Sequence, residues 1–140
     1  MIYIDVLNKV WDVPYEDSKF EDYLASLYVV RVKEAITFNL YGMYWKKLNP
    51  KYEEYKLSRG YSLNQWEATE ALKEHLKVKS NRVIGFDNRL KHYSHMRYRD
   101  LARILEYGNF RVPARPLFRY VLNTMIEELP LIYEGYCLRR

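Results

Sequence analysis

From Phe20 to Leu40 apolar side chains recur every three or four residues, and they do so in two rows. Phe20, Tyr23, Leu24 and Leu27 form the first; Tyr28, Val32, Ala35, Ile36 and Leu40 form the second. This spacing predicts one long helix from about Ser18 to Lys47. Near Leu27 to Val32 it is apolar on more than one side, so it belongs at the centre of a fold, covered by a sheet or by a second subunit. A chain of 140 residues has room for one core around such a helix, and residues 1–140 are read as one domain. Ser18 is the expected N-cap, with Glu21 completing a capping box and Glu16, Asp17 and Asp22 favouring the positive end of the helix dipole.

The other elements follow from local signals. Met1 to Val10 alternates well enough for a short strand. Asn49-Pro50 begins a helix that Arg59-Gly60 closes. Ser62 or Asn64 caps the next one, which carries Trp66, Ala68, Leu72 and His75. Leu76–Lys79 and Arg82–Phe86 read as a β-hairpin turning at Ser80-Asn81. Asn88 to Arg97 has no period and is expected to be loop. Tyr98 to Tyr107 is a helix stopped by Gly108, and Asn109 to Arg115 is extended because two of its residues precede proline. A last helix starts at Pro116, with Leu117, Val121, Leu122, Met125 and Ile126 inward, and ends before Pro130; Leu131 to Leu138 reads as a final strand. The fold class is α+β: a long N-terminal helix and several shorter ones on a small antiparallel sheet.

No apolar run approaches the ~20 residues of a membrane span, so no membrane association is expected. Acids stand near the N-terminus where a signal peptide has a basic and then an apolar region. Cys137 is the sole cysteine, which excludes an internal disulfide and fits a reducing, cytosolic origin. His92 and His95 have a spacing that could bind metal from a helix, but they stand in the expected loop without a neighbouring cysteine. No phosphate-cradling glycine loop, HExxH or GxSxG pattern occurs, and no catalytic residue or cofactor is expected.

Two features point to interaction instead. Fifteen tyrosines bring the aromatic fraction to 16%, and tyrosine suits surfaces that a partner buries and water wets at the edge. The net charge of +5 is also concentrated: the window from Lys77 to Arg103, which includes Arg89, Lys91, Arg97 and Arg99, carries +6 and the remainder −1. Such a segment attracts phosphate backbones or an acidic partner. One reading is therefore a small basic nucleic-acid-binding protein with Tyr93 and Tyr98 as stacking faces; a small hydrolase or nuclease subunit has no motif to support it.

The stretch from Tyr98 to Phe118 is the most informative. Two prolines hold Arg115 in an extended backbone, and a fixed guanidinium suits bidentate pairing with a carboxylate, for which Glu106 is the nearest candidate. The plainer alternative, that the prolines only separate two elements and leave Arg115 on the surface, is the one that physics alone favours, since surface ion pairs contribute little. Leu105-Glu106-Tyr107-Gly108 followed by Val112-Pro113-Ala114-Arg115-Pro116-Leu117-Phe118, with Trp45-Lys46-Lys47-Leu48-Asn49-Pro50 upstream, resembles the neck proteins of tailed bacteriophages, the head-to-tail joining or tail-completion subunits. Thr69-Glu70 and His75 depart from that family's pattern, which leaves the neck layer open.

The resemblance implies a structural, non-enzymatic virion protein. It would be made in the host cytoplasm and form a homo-oligomeric ring, hexamer or dodecamer, between head and tail. Other neck, portal-adaptor and tail proteins would be its neighbours, and double-stranded DNA would pass through the lumen without sequence-specific contact. It implies interface or motif roles for Glu106, Gly108, Pro113, Arg115, Pro116 and Phe118. Arg89, Lys91, Arg97 and Arg99 would face DNA or the acidic rim of an adjoining ring.

Overall fold

Helices α1 (Ser18–Thr37) and α5 (Phe118–Leu138) lie against each other, and α1 also covers two strands of a four-stranded sheet. The structure is a computed structural model, and it describes residues 1–66, 71–87 and 96–139. The sheet is built from β1 (Ile2–Ile4), β2 (Lys9–Trp11), β3 (Leu76–Lys79) and β4 (Val83–Phe86) in the order β2-β1-β4-β3. Among the described residues there are also helices α2 (Pro50–Ser58), α3 (Ala71–Glu74) and α4 (Tyr98–Tyr107) and three short 3-10 turns, with α4 packed on β4 and on the turn Asp5–Leu7. The α+β class is as expected, but the sheet is mixed. β1 pairs antiparallel with β2 (Ile2 opposite Trp11) and parallel with β4 (Ile4 opposite Ile84), while β3 and β4 form the antiparallel hairpin. Ile2, Ile4, Leu76, Ile84 and Phe86 of the sheet meet Phe20, Leu24, Tyr28 and Val32 of α1 and Phe118, Leu122 and Met125 of α5 in one core. Each such side chain, fully buried, contributes about 1.5–3 kcal/mol.

Several boundaries differ from expectation, each for a local reason. The N-terminal strand is a hairpin, because Asn8 takes a left-handed conformation (φ +50°) and turns the chain after Leu7. The N-cap of α1 is Asp17, not Ser18: its carboxylate accepts from the Phe20 amide at 3.0 Å and adds a charge that the helix dipole favours. α1 ends at Thr37, ten residues before Lys47. Asn39 is left-handed (φ +51°), its N–H donates to the Ile36 carbonyl, and Leu40 N–H donates to the Ala35 carbonyl, the pair of bonds that closes a Schellman motif. Gly42 packs closely against it, since a Cβ there would lie 2.2 Å from the Asn39 side-chain Nδ2 and would push that side chain aside.

Asn64 does not start a helix in the described residues; its amide donates to the carbonyls of Ile36 and Thr37 and completes the end of α1. By contrast Asn49 caps α2 as expected, accepting from the Lys51 amide at 2.9 Å with Pro50 in the first turn. The β3–β4 turn also stands, with Asn81 and Arg82 both at positive φ.

The largest difference is at Pro130, where α5 continues to Leu138 in place of the expected strand. Proline in a helix interior costs about 3 kcal/mol, partly through the lost bond to the carbonyl four residues earlier. Ile126, expected inward, and Pro130 are both exposed, which puts the missing bond on the solvent side of the helix. The offset comes from aromatic packing: Tyr133 stacks on Tyr15 with centroids 4.0 Å apart and meets Phe20 edge-on at 4.8 Å, while Tyr136 lies 5.2 Å from Phe20 and 5.3 Å from Tyr23. Such pairs add about 0.5–1.5 kcal/mol each beyond their buried area. A strand would have sent Tyr133 and Tyr136 to opposite faces.

Candidate functional site

The segment between α4 and α5 gathers the residues singled out in the sequence. Gly108 ends α4 at φ +74°, and a Cβ there would stand 2.6 Å from the Ala114 nitrogen and 2.8 Å from the Val112 carbonyl oxygen. Only glycine tolerates both that φ and that approach. The next four residues close on themselves: Asn109 Oδ1 accepts from the amides of Arg111 (2.8 Å) and Val112 (2.7 Å), and Asn109 N–H donates to the Val112 carbonyl at 2.8 Å. Asn109 to Val112 is therefore a turn, and extended backbone begins only at Pro113.

From there the chain is fixed by two tryptophans and one guanidinium. Arg115 N–H donates to the Leu105 carbonyl, Trp66 Nε1 donates to the Arg115 carbonyl at 2.9 Å, and Trp45 Nε1 donates to the Pro116 carbonyl at 2.9 Å. The Arg115 side chain is buried, and its Nε and Nη2 donate to the carbonyls of Lys46 (2.9 Å) and Lys47 (3.4 Å). Burial lowers its pKa, with Tyr52 acting in the opposite sense; arginine nonetheless stays charged at neutral pH. Arg115 thus ties the extended segment to the approach to α2 and is not on the surface.

The carboxylate of Glu106 is fully buried and saturated. Oε1 accepts from the amides of Leu117 (2.8 Å) and Phe118 (2.7 Å), and Oε2 from the Arg119 amide (3.2 Å) and its Nε (2.9 Å). Arg119 Nη2 donates to the Glu106 carbonyl, and the guanidinium lies 4.7 Å from the centre of the Tyr107 ring. Leu117, at the N-cap position of α5, has no side chain that can cap, so a carboxylate from α4 performs that service from outside the helix and meets its positive dipole end. One residue on, the Phe118 carbonyl accepts from Tyr28 Oη at 2.8 Å. Burial, and next the Glu106 charge, hold the Tyr28 phenol well above its usual pKa.

Glu106, Gly108, Arg115, Pro116 and Phe118, for which the resemblance implied interface or motif roles, all take part in contacts within the chain around this segment; Pro113 lies on the same stretch, between Val112 and Ala114. Glu106 pairs with Arg119, and Arg115 with main-chain carbonyls, so the expected Glu106–Arg115 pairing is replaced by two separate ties. Arg119, Tyr28 and Trp66 are the partners sequence reasoning missed. A cation in the first turn of a helix runs against the dipole, and at Arg119 that conflict signals the nearby anion. Chemically the cluster is a joint: its polar groups are spent on holding α4, α5 and residues 45–47 in one geometry.

The basic segment divides. Arg97 is exposed, whereas Arg99 lies 3.9 Å from Asp5 and 3.8 Å from Asp100, and Arg103 donates to the Asp5 carbonyl at 3.0 Å. Arg99 belongs to the fold as much as to any surface. Arg89, Lys91, His92, Tyr93 and His95 lie outside the described residues. Tyr98 is not presented for stacking on bases: it is buried, with His75 stacked on it at 4.8 Å and Phe86 at 6.3 Å.

A different surface is apolar and exposed. Between the end of α1 and residue 44, Phe38 (70% exposed), Leu40 (56%), Met43 (84%) and Tyr44 (69%) face outward within seven residues. Next to them an open cleft is lined by Tyr41, Tyr44, Tyr120, Asn123, Thr124 and Glu127. Tyr120 meets Tyr41 at 5.3 Å and Tyr44 edge-on at 6.4 Å. The chain matches no known family model, curated protein or solved structure.

Proposed function

We propose that the protein is a structural subunit that works by self-association, a ring-forming component of a tailed-bacteriophage neck lying between head and tail and surrounding the DNA path. The observation that carries this reading is the run of four large apolar side chains, each more than half exposed, from Phe38 to Tyr44. Soluble monomers rarely leave such clusters uncovered, and their usual meaning is a contact with another protein. The joint around Glu106 and Arg115 supports the reading further. A subunit that bears load in a ring needs its helices fixed relative to one another, and here a saturated carboxylate, a buried guanidinium and two indole N–H groups do that. The sequence resemblance supplies the particular assembly.

Native mass measurement on the purified protein tests it. A closed species of six or twelve copies is the expected result; a strict monomer up to high micromolar concentration refutes the reading. Filter binding of double-stranded DNA across salt tests the nucleic-acid alternative, which requires a steep negative slope. Of the two tyrosines that alternative relied on, Tyr98 is buried. A charge-reversal test of the basic segment in head–tail joining is best made at Arg97, because reversal at Arg99 would set a carboxylate against Asp5.

A further inference from the structure

Phe110 is the most exposed large apolar residue described, at 89%, yet it stands on backbone that has little freedom. It occupies the tip of the turn closed by Asn109, whose side chain and N–H make three short hydrogen bonds across residues 109–112. At the base of that turn Gly108 allows a close approach to Val112 and Ala114 that a Cβ would block. The Arg111 guanidinium lies 5.1 Å from the centre of the Phe110 ring, so the projection is an aromatic knob with a cation on it. A knob already ordered gives up little conformational entropy when a partner buries it, and a central aromatic of this kind is a typical anchor of an interface.

The same chain carries a receptor of matching chemistry. The cleft beside the Phe38–Tyr44 run is lined by three tyrosines and by Glu127. Aromatic edges and faces there suit an entering phenylalanine, and Glu127 has the sign that Arg111 needs. At 89% exposure, Phe110 does not occupy the cleft of its own chain. We infer that Phe110 of one copy seats in the Tyr41–Tyr44–Tyr120 cleft of the next, with Arg111 facing Glu127. The occupant is thus a second copy in a head-to-tail arrangement, the kind of contact that closes into a ring when the rotation allows. This inference rests on the self-association reading and specifies its contact.

The experiment uses two variants of the full chain, each compared with the unaltered protein by native mass measurement, with circular dichroism to confirm folding. Phe110→Asp destroys the knob and keeps the cleft; Tyr44→Ala combined with Glu127→Arg destroys the cleft and keeps the knob. All three altered side chains are surface residues. Each variant alone is expected to be monomeric, with association weakened about thirtyfold or more, as for a central anchor. Mixed together they are expected to give a discrete heterodimer, since one intact contact remains and neither chain can extend it. Arg111→Glu is expected to weaken the assembly, and adding Glu127→Arg in the same chain to restore it. An unaltered protein that assembles while Phe110→Asp assembles equally well overturns the inference and leaves the self-association reading standing, as do two monomeric variants that fail to pair when mixed. An unaltered protein that is monomeric removes both.

Discussion

Replacing Glu106 with glutamine keeps its shape and removes its charge, which makes Glu106→Gln the sharpest probe of the joint. Four donors end on the carboxylate. The glutamine oxygen still accepts from Leu117 and Phe118, but its NH2 then faces the Arg119 amide and Nε, donor against donor. A hydrogen bond to a charged group contributes about 1.5–3 kcal/mol. The Arg119 side chain is 40% exposed, so water compensates much of the loss at Nε; the amide regains less. Loss of the carboxylate from the dipole end of α5 adds about 1 kcal/mol. The expected cost is about 3–4 kcal/mol in total, a large part of a typical domain's stability of about 5–15 kcal/mol. Thermal melting followed by circular dichroism should fall by about 10–15 °C, and urea midpoints should move with an unchanged slope. In a double-mutant cycle with Arg119→Ala, coupling of about 1 kcal/mol or more is expected. If Glu106→Gln melts within about 3 °C of the unaltered protein, the carboxylate is not what holds α5 to α4.

Further outcomes follow from the same framework. Arg115→Ala should cost about 2–3 kcal/mol by leaving the Lys46 and Lys47 carbonyls without their donor, and Arg115→Lys should recover less than half, since an ammonium cannot span two carbonyls as a guanidinium does. Chemical denaturation should find Arg115→Ala and Glu106→Gln additive within about 0.5 kcal/mol; strong coupling would reinstate a direct pair. Gly108→Ala should lose about 2–3 kcal/mol, because a Cβ meets Ala114 at positive φ, and an unchanged melt would show that the turn yields. Because the Tyr28 phenol is held above its usual pKa, its contribution is fully present below about pH 10 and is lost as pH rises toward the folded-state value. Tyr28→Phe should lower stability by about 1 kcal/mol at neutral pH and make alkaline melting curves less steep in pH, which a melting series from neutral to alkaline pH reads directly.

What the sequence made legible was what neighbouring residues decide. Asn49-Pro50 names its own cap, Gly108 its own stop, and the hairpin around Asn81 needs only the residues beside it. The long helix was legible in its period but not in its end, because Asn39 competes with the helix through a left-handed turn that Leu40, still in apolar phase, conceals. Pro130 misled in the opposite direction: the local penalty was visible, while the Tyr15, Phe20 and Tyr23 rings that outweigh it come from the far end of the chain. The same holds at the joint. Proline bracketing located Arg115 correctly, but its partners are carbonyls some seventy residues earlier, and the partner of Glu106 is a residue whose unfavourable place in its own helix was the only clue.

The parallel pairing of β1 with β4 has a consequence for how the protein is made. Tyr3 and Val83 are neighbours in the sheet although eighty positions separate them, so β1 waits for some eighty later residues to be made before its inner edge is covered. The β1–β2 hairpin protects the other edge meanwhile, but two short strands are marginal alone. Nascent chains are therefore most vulnerable to aggregation during that interval, and closure of this long loop, more than helix formation, is expected to set the folding rate.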